Sequence, residues 1–164
     1  METVAGHEAG DVTGEGSSSG ERASCLFCRI VDGVEAARVV FDDDVAVGFL
    51  DARPVFPGHV LVVPRRHVVT LPDLEPDEVG PYFERVRLIA AALPAAVGAQ
   101  GTFVANNNVV SQSVAHLHLH VVPRTKGDGL KGFFWPRTGY EHDAHADRTA
   151  AAIRAALVED LDRP

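Results

Sequence analysis

Between Arg38 and Val63 the chain alternates short apolar runs with turn residues. Arg38–Phe41, Val45–Leu50 and Val60–Val63 are β-branched or aromatic in texture, and Asp42-Asp43-Asp44, Pro54 and Pro57-Gly58 separate them. This pattern predicts three strands. From Pro72 to Gly98 the period changes: Val79, Tyr82, Phe83, Val86, Ile89, Ala90 and Leu93 recur at spacings of three and four, as on one face of an amphipathic helix. Pro76 and Pro81 fit only near its first turn, and Pro94 to Gly98 marks its end. Thr102–Ala105 and Ala115–Val122 read as two further strands around the polar loop NNNVVSQS, residues 106–113. A Gly-rich, turn-rich section follows, and then a second helix through residues 147–161, with Ile153, Leu157 and Leu161 on one face. Strands joined without helical crossovers pair mostly antiparallel. The predicted fold is therefore α+β, an antiparallel sheet of about five strands with two helices.

Composition narrows the picture. The 164 residues suit one domain, and 46% hydrophobic content with 7% aromatics is ordinary for a packed core. Residues 1–24 are rich in Gly, Ser and Glu without either periodicity, and read as a disordered acidic tail ahead of a single domain over residues 25–164. That tail carries five acidic residues against Arg22 alone, which is half of the net charge of −8. An acidic chain without a basic stripe is poorly suited to a long nucleic acid, although a small phosphorylated ligand needs only local donors. No run of ~18 apolar residues is present to span a membrane, and the expected compartment is cytoplasmic. Cys25 and Cys28 are the only cysteines, and in a cytoplasmic chain that spacing points to metal binding or redox work before a structural disulfide.

The densest chemistry lies in His116-Leu-His-Leu-His-Val-Val-Pro-Arg124. On a strand of period two, His116, His118 and His120 project to one side while Leu117, Leu119 and Val121 project to the other. Three adjacent imidazoles gain little as packing, and each buried ring needs partners for two nitrogens. The face points to chemistry, either three ligands of one metal or a set of nucleophilic and proton-transferring groups. Just upstream, Asn106 to Ser113 supplies amides and hydroxyls able to hold phosphate oxygens without a metal.

Taken together, His-φ-His-φ-His-φ-φ preceded by Gln112-Ser113-Val114, the upstream Cys25-Leu-Phe-Cys28-Arg-Ile30, and Pro57-Gly-His59-Val-Leu-Val-Val-Pro64 resemble the histidine triad (HIT) family over about Ser24 to Arg124. The resemblance implies a homodimeric fold acting on small nucleotides, as a hydrolase or transferase that attacks the α-phosphate and passes through a nucleotidyl-histidine. By position, His118 is the nucleophile, and His116, His120, His59 and Ser113 complete the catalytic group. His120 and His59 bind phosphate oxygens or orient His118. Ser113 and Gln112 meet the α-phosphate or leaving group, Asp51 accepts hydrogen bonds from ribose hydroxyls, and Phe27 and Ile30 clasp the base. The family's loop asparagine falls on Asn106 or Asn107, with Asn107 preferred. NNNVVSQ departs from the family by lacking a glycine and being about one residue shorter.

The same resemblance extends to a structural Zn²⁺ site built from Cys25, Cys28, His67 and His116. Two thiolates and two imidazoles suit a closed tetrahedral site, which would leave His118 free for chemistry. Free thiols and a redox pair remain the alternatives. His7, His142 and His145 read as exposed, Arg65-Arg66 as solvated, and Asp42-Asp43-Asp44 as a charged turn. Phe133, Phe134 and Trp135 read as core or dimer packing, with Trp135 or Lys131 as candidates for the leaving-group side of the pocket. The motif specifies the phosphoryl centre and not what leaves. A catalytically weak nucleotide-binding module and a three-histidine zinc hydrolase are the rival functions.

Overall fold

The computed structural model describes residues 16–130 and 139–161, which fall into one compact unit ending at Asp128 and another beginning at Gly129. The first opens with helices α1 (Gly16–Ser24) and α2 (Leu26–Val31), followed by strands β1 (Val39–Asp42), β2 (Ala46–Leu50) and β3 (Val60–Pro64). A 3-10 turn at Leu71–Asp73 leads into helix α3 (Pro76–Val97), and β4 (Gly101–Asn106) and β5 (Leu119–Arg124) complete the unit. In the second unit helix α4 spans Asp143–Leu161, and the His142 ring accepts the His145 backbone N–H at 3.0 Å at its start. Ile153 is exposed, while the side chains of Leu157 and Leu161 lie outside the described residues.

The five strands form one sheet in the order β1-β2-β3-β5-β4, every neighbouring pair antiparallel. The α+β class is as predicted, but the described residues hold four α-helices rather than two. The segment expected to lack structure is helical over Gly16–Ser24, and residues 1–15 lie outside the described part. Helix α2 has only six residues, too few for a helical period to stand out in sequence. Helix α3 passes through both Pro81 and Pro94, giving up the bonds to the carbonyls of Asp77 and Ala90, and ends at Gly98 with φ 69°.

Strand β3 is buried along its whole length, which is why it reads as an unbroken apolar run. Val60 and Val62 pack with Ala46, Leu119, Val121 and the α3 residues Val86, Ile89 and Leu93. Leu61 and Val63 point the other way, against Val47, Phe49 and the α2 residue Phe27. Helix α3 lies so close to the sheet that a Cβ at Gly48 would sit 3.0 Å from the Ile89 side chain. Tyr82 of α3 is 1% exposed and its hydroxyl donates to the Val62 carbonyl at 2.8 Å, fixing helix to sheet. Tyr82→Phe leaves that oxygen without this donor and is expected to cost about 1 kcal/mol of unfolding free energy in a denaturant titration.

The histidine-bearing strand begins later than predicted. The β5 ladder starts at Leu119, so of the three triad histidines only His120 is within it. Residues 113–116 bend, and the Leu117 N–H turns to the Val68 carbonyl at 2.6 Å instead of to β3. Alternation nevertheless continues, because Leu117, Leu119 and Val121 all enter the α3-facing core. No helix among the described residues is long and apolar enough to cross a membrane.

Candidate active site and metal cluster

Three parts of the chain bring four metal-ligating side chains together. Cys25 caps α2 and Cys28 lies within it, His67 follows β3, and His116 precedes β5. Their ligand atoms all lie within 4.8 Å of one another. Cys28 Sγ is 3.2 Å from His67 Nδ1 and 3.5 Å from His116 Nδ1, and Cys25 Sγ is 3.5 Å from His116 Nδ1. A tetrahedral zinc with ordinary bond lengths separates sulfur from nitrogen ligands by ~3.6 Å, so the cluster has the size the ion requires. The donor chemistry fits as well. His116 Nε2–H donates to the Pro64 carbonyl at 2.9 Å, which turns the bare Nδ1 toward both thiols. Burial, reinforced by the neighbouring Cys25, pushes the Cys28 thiol up to about 12, so only a cation would hold it as thiolate near neutrality.

The His116 carbonyl has a second duty. It accepts from His118 Nδ1 at 2.7 Å, and this fixes the His118 tautomer with a bare Nε2. Asn106, at the end of β4, donates to the His118 carbonyl at 3.0 Å, holding the backbone on the far side of the same residue. The Phe27 and His118 rings meet edge to face at 5.2 Å, and the His118 and His120 rings lie 5.0 Å apart.

His59 and His120 form a chain. The Val55 N–H donates to His59 Nδ1 at 3.3 Å, which leaves the hydrogen on Nε2, and that nitrogen is 3.0 Å from His120 Nδ1. His120 then keeps its own hydrogen on Nε2, as a donor for the cleft that it lines. Asp51 lies 3.3 Å from His59 Nδ1, and its other oxygen accepts the Arg53 N–H at 2.8 Å. The donor atoms of Asp51, His59 and His120 lie within metal-binding range of one another, yet both His59 nitrogens are already engaged. This second cluster is a hydrogen-bond relay and not a convergent ligand set.

Burial holds both rings neutral. It lowers His59, against the opposing pull of Asp51, and it brings His120 to about 4 with help from the nearby His118 and His59 rings. Between pH 6.5 and 4 the unfolded chain therefore binds protons that these folded rings refuse, so stability is full above about pH 6.5 and falls as pH drops toward 4. In acid titrations of the unfolding midpoint, His120→Asn is expected to flatten that slope.

Phe27, Ile30, Asp51, Ser113, His118 and His120 all line one cleft of about 760 Å³, a volume suited to a nucleotide. Phe49 and Leu61 extend its apolar wall, and Arg38 and Arg53 bring positive charge. A family model of the HIT domain matches residues 32–127.

The chain belongs to the HIT domain family. It is 37% identical over 107 residues to a HIT-like protein of Methanocaldococcus jannaschii, covering 64% of this chain and 82% of that one. It is 32% identical to an adenylylsulfatase of Arabidopsis thaliana over 71% of this chain and 60% of the relative. An asymmetrical bis(5'-nucleosyl)-tetraphosphatase of Schizosaccharomyces pombe is 29% identical, over 77% of this chain and 79% of the relative. Among solved structures, a HIT family protein from Bacillus anthracis superposes with a TM-score of 0.72 at 32% identity, covering 81% of this chain and 96% of that one. A zinc-bound histidine triad family protein from Mycobacterium smegmatis gives 0.64 at 36% identity, covering 79% and 99%. Cys25, Phe27, Cys28 and Ile30 precede the matched HIT domain, although they complete its cleft and its cluster.

The loop ahead of the HIT triad is held without the family's glycine. Gln112 donates to the Val69 carbonyl at 2.6 Å and accepts the Val109 N–H at 2.8 Å, so it braces the loop and is not among the cleft-lining residues. Asn107 is exposed, whereas Asn106 contacts the triad backbone. Val109 and Ser111 take left-handed backbone, φ 64° and 61°. For a β-branched residue that conformation is strained. Val109→Gly is expected to raise stability by roughly 0.5–1 kcal/mol in thermal unfolding, the relief of strain exceeding glycine's entropic cost.

Arg65 pairs with Asp42, and Arg66 with Glu78 at 2.5 Å, so neither is a spare phosphate ligand. Phe133, Phe134, Trp135 and Lys131 lie outside the described residues. Sequence reasoning missed the cleft residues Arg38, Phe49, Arg53 and Leu61. Phe49 and Leu61 could have been found from period-two alternation, since they share a face with Val47 and Val63. Arg38 and Arg53 carried no pattern.

Proposed function

We propose that the chain is a cytoplasmic, homodimeric nucleotide hydrolase or nucleotidyltransferase that cleaves at the α-phosphate of a nucleotide conjugate through a nucleotidyl-His118 intermediate. The observation that carries this reading is the 2.7 Å bond from His118 Nδ1 to the His116 carbonyl, which leaves Nε2 as a neutral nucleophile in a nucleotide-sized cleft. The base packs between Phe27 and Ile30, and the ribose hydroxyls donate to Asp51. His118 Nε2 forms a bond to phosphorus as the bond to the leaving group breaks, and the departing atom keeps the electron pair and takes a proton by way of Ser113. Neutral His120 donates its Nε2–H to a phosphate oxygen without bringing a full charge. Water then displaces His118, releasing a nucleoside monophosphate and restoring the proton.

Cys25, Cys28, His67 and His116 would hold a structural zinc, whose chemistry is to cross-link α2 to the approach of β5 and so steady the His116 carbonyl. The names of the relatives support nucleotide hydrolysis, one being an adenylylsulfatase and another a dinucleoside tetraphosphatase. The edge position of β4 in the sheet order and the exposed Val79 and Phe83 of α3 support pairing of two copies, which light scattering tests. The deciding assay is product analysis with a panel of adenosine and guanosine conjugates. The proposal expects nucleoside monophosphate from at least one class, whereas tight binding without turnover from any would leave a nucleotide-binding module.

A further inference from the structure

A second cleft adjoins the first on the side of α1. Its volume is about 460 Å³, and Glu21 and Ser24 of α1 line it together with His67, Leu26, Ser113 and Val114. Leu26, Ser113 and Val114 also line the nucleotide cleft, so the two spaces meet at Ser113. Helix α1 is held there by side-chain bonds: Arg22 donates to the Arg65 carbonyl at 3.0 Å and pairs with Asp32 at 2.7 Å. The charges of the two spaces differ. The first is lined by Arg38 and Arg53 together with Glu35 and Asp51, whereas the second has the Glu21 carboxylate and, among its described lining residues, neither Lys nor Arg to balance it.

We propose that this second cleft receives the leaving group, and that Glu21 selects leaving groups bearing positive charge over carboxylates and polyphosphates. The inference rests on the reading of the first cleft as the nucleotide site. With the α-phosphate between His118 and Ser113, the departing atom lies at Ser113, and whatever is attached to it continues into the space beyond. A polyphosphate placed there meets the Glu21 carboxylate and neither lysine nor arginine, while an ammonium group finds a counter-ion. The selecting residue precedes the matched family domain, so relatives sharing that domain need not share the preference.

The test compares kcat/KM for three adenosine 5'-phosphoramidates whose leaving amines have the same length and end in an ammonium, a methyl or a carboxylate, with diadenosine tetraphosphate as a fourth substrate. For each protein, the methyl-terminated compound is the reference. The native chain should favour ammonium over carboxylate by roughly tenfold or more, Glu21→Gln should level the ratio, and Glu21→Lys should invert it. Ratios that stay the same in Glu21→Lys, with the methyl compound still turned over, would overturn the proposal while leaving the nucleotide site standing. Failure of the native chain to cleave any of the four would remove both.

Discussion

Replacing His118 by alanine is expected to lower kcat on a nucleoside phosphoramidate by about ten-thousand-fold or more, while nucleotide affinity changes little. The asymmetry follows from the division of labour in the cleft. His118 presents the only ring nitrogen of the three triad histidines that is free of both a proton and a partner: His116 is turned toward the thiols, and His120 Nδ1 faces His59. Removing a covalent nucleophile removes the pathway and not one contact among many. In the proposed reading binding rests on the cleft residues Phe27, Ile30, Phe49 and Asp51, which the substitution leaves in place. His118→Asn keeps more of the volume of a side chain only 2% exposed, and should match alanine in rate while unfolding closer to the native temperature. His120→Ala should cost less, about a hundredfold, because it deletes a hydrogen-bond donor to the phosphate and not the attacking atom. Turnover by His118→Ala at the native rate, measured by single-turnover kinetics, would remove the mechanism.

The second large effect is on stability. Cys28→Ser is expected to release zinc and lower the unfolding midpoint by about 10 °C or more, as loss of a structural ion removes binding free energy that is also folding free energy. The four ligands come from α2, from the segment after β3 and from the bend before β5, so the ion would close contacts that the backbone ladder does not make. Brief chelation of the native protein should leave kcat nearly intact, because no bond-making step of the proposed mechanism uses the metal. Prolonged chelation should lower kcat along with stability, since the His116 carbonyl that orients His118 would lose its anchor. Immediate and complete loss of activity on chelation would favour a catalytic three-histidine zinc centre instead.

Much of this was legible in the sequence, for physical reasons that can be named. Period two survives in Leu117, Leu119 and Val121 even where the ladder does not, so the sidedness of the histidines could be read although the strand begins only at Leu119. The cysteine pair could be joined to His67 and His116 only through the family resemblance, because the bend at residues 113–116 that delivers His116 leaves no periodic trace. Tautomers were beyond reach altogether. They depend on which backbone group meets which nitrogen, and the carbonyls of His116 and Pro64 and the N–H of Val55 are invisible in a string of side chains. The loop asparagine shows the same limit: one residue of register separates exposed Asn107 from Asn106, whose amide reaches the His118 carbonyl. Helix α1 was missed because a Gly/Ser-rich composition argues against helix, while its anchorage through Arg22 depends on residues distant in sequence.

The central claim is a covalent nucleotidyl group on His118, and trapping that species tests it most directly. Native protein mixed with an adenosine phosphoramidate, quenched within one turnover and digested under alkaline conditions, should yield the peptide containing His118 carrying one adenylyl group. The modification should be absent from His118→Asn. An adenylyl group on another residue, or product formed through a full turnover with none on the protein, would contradict the account.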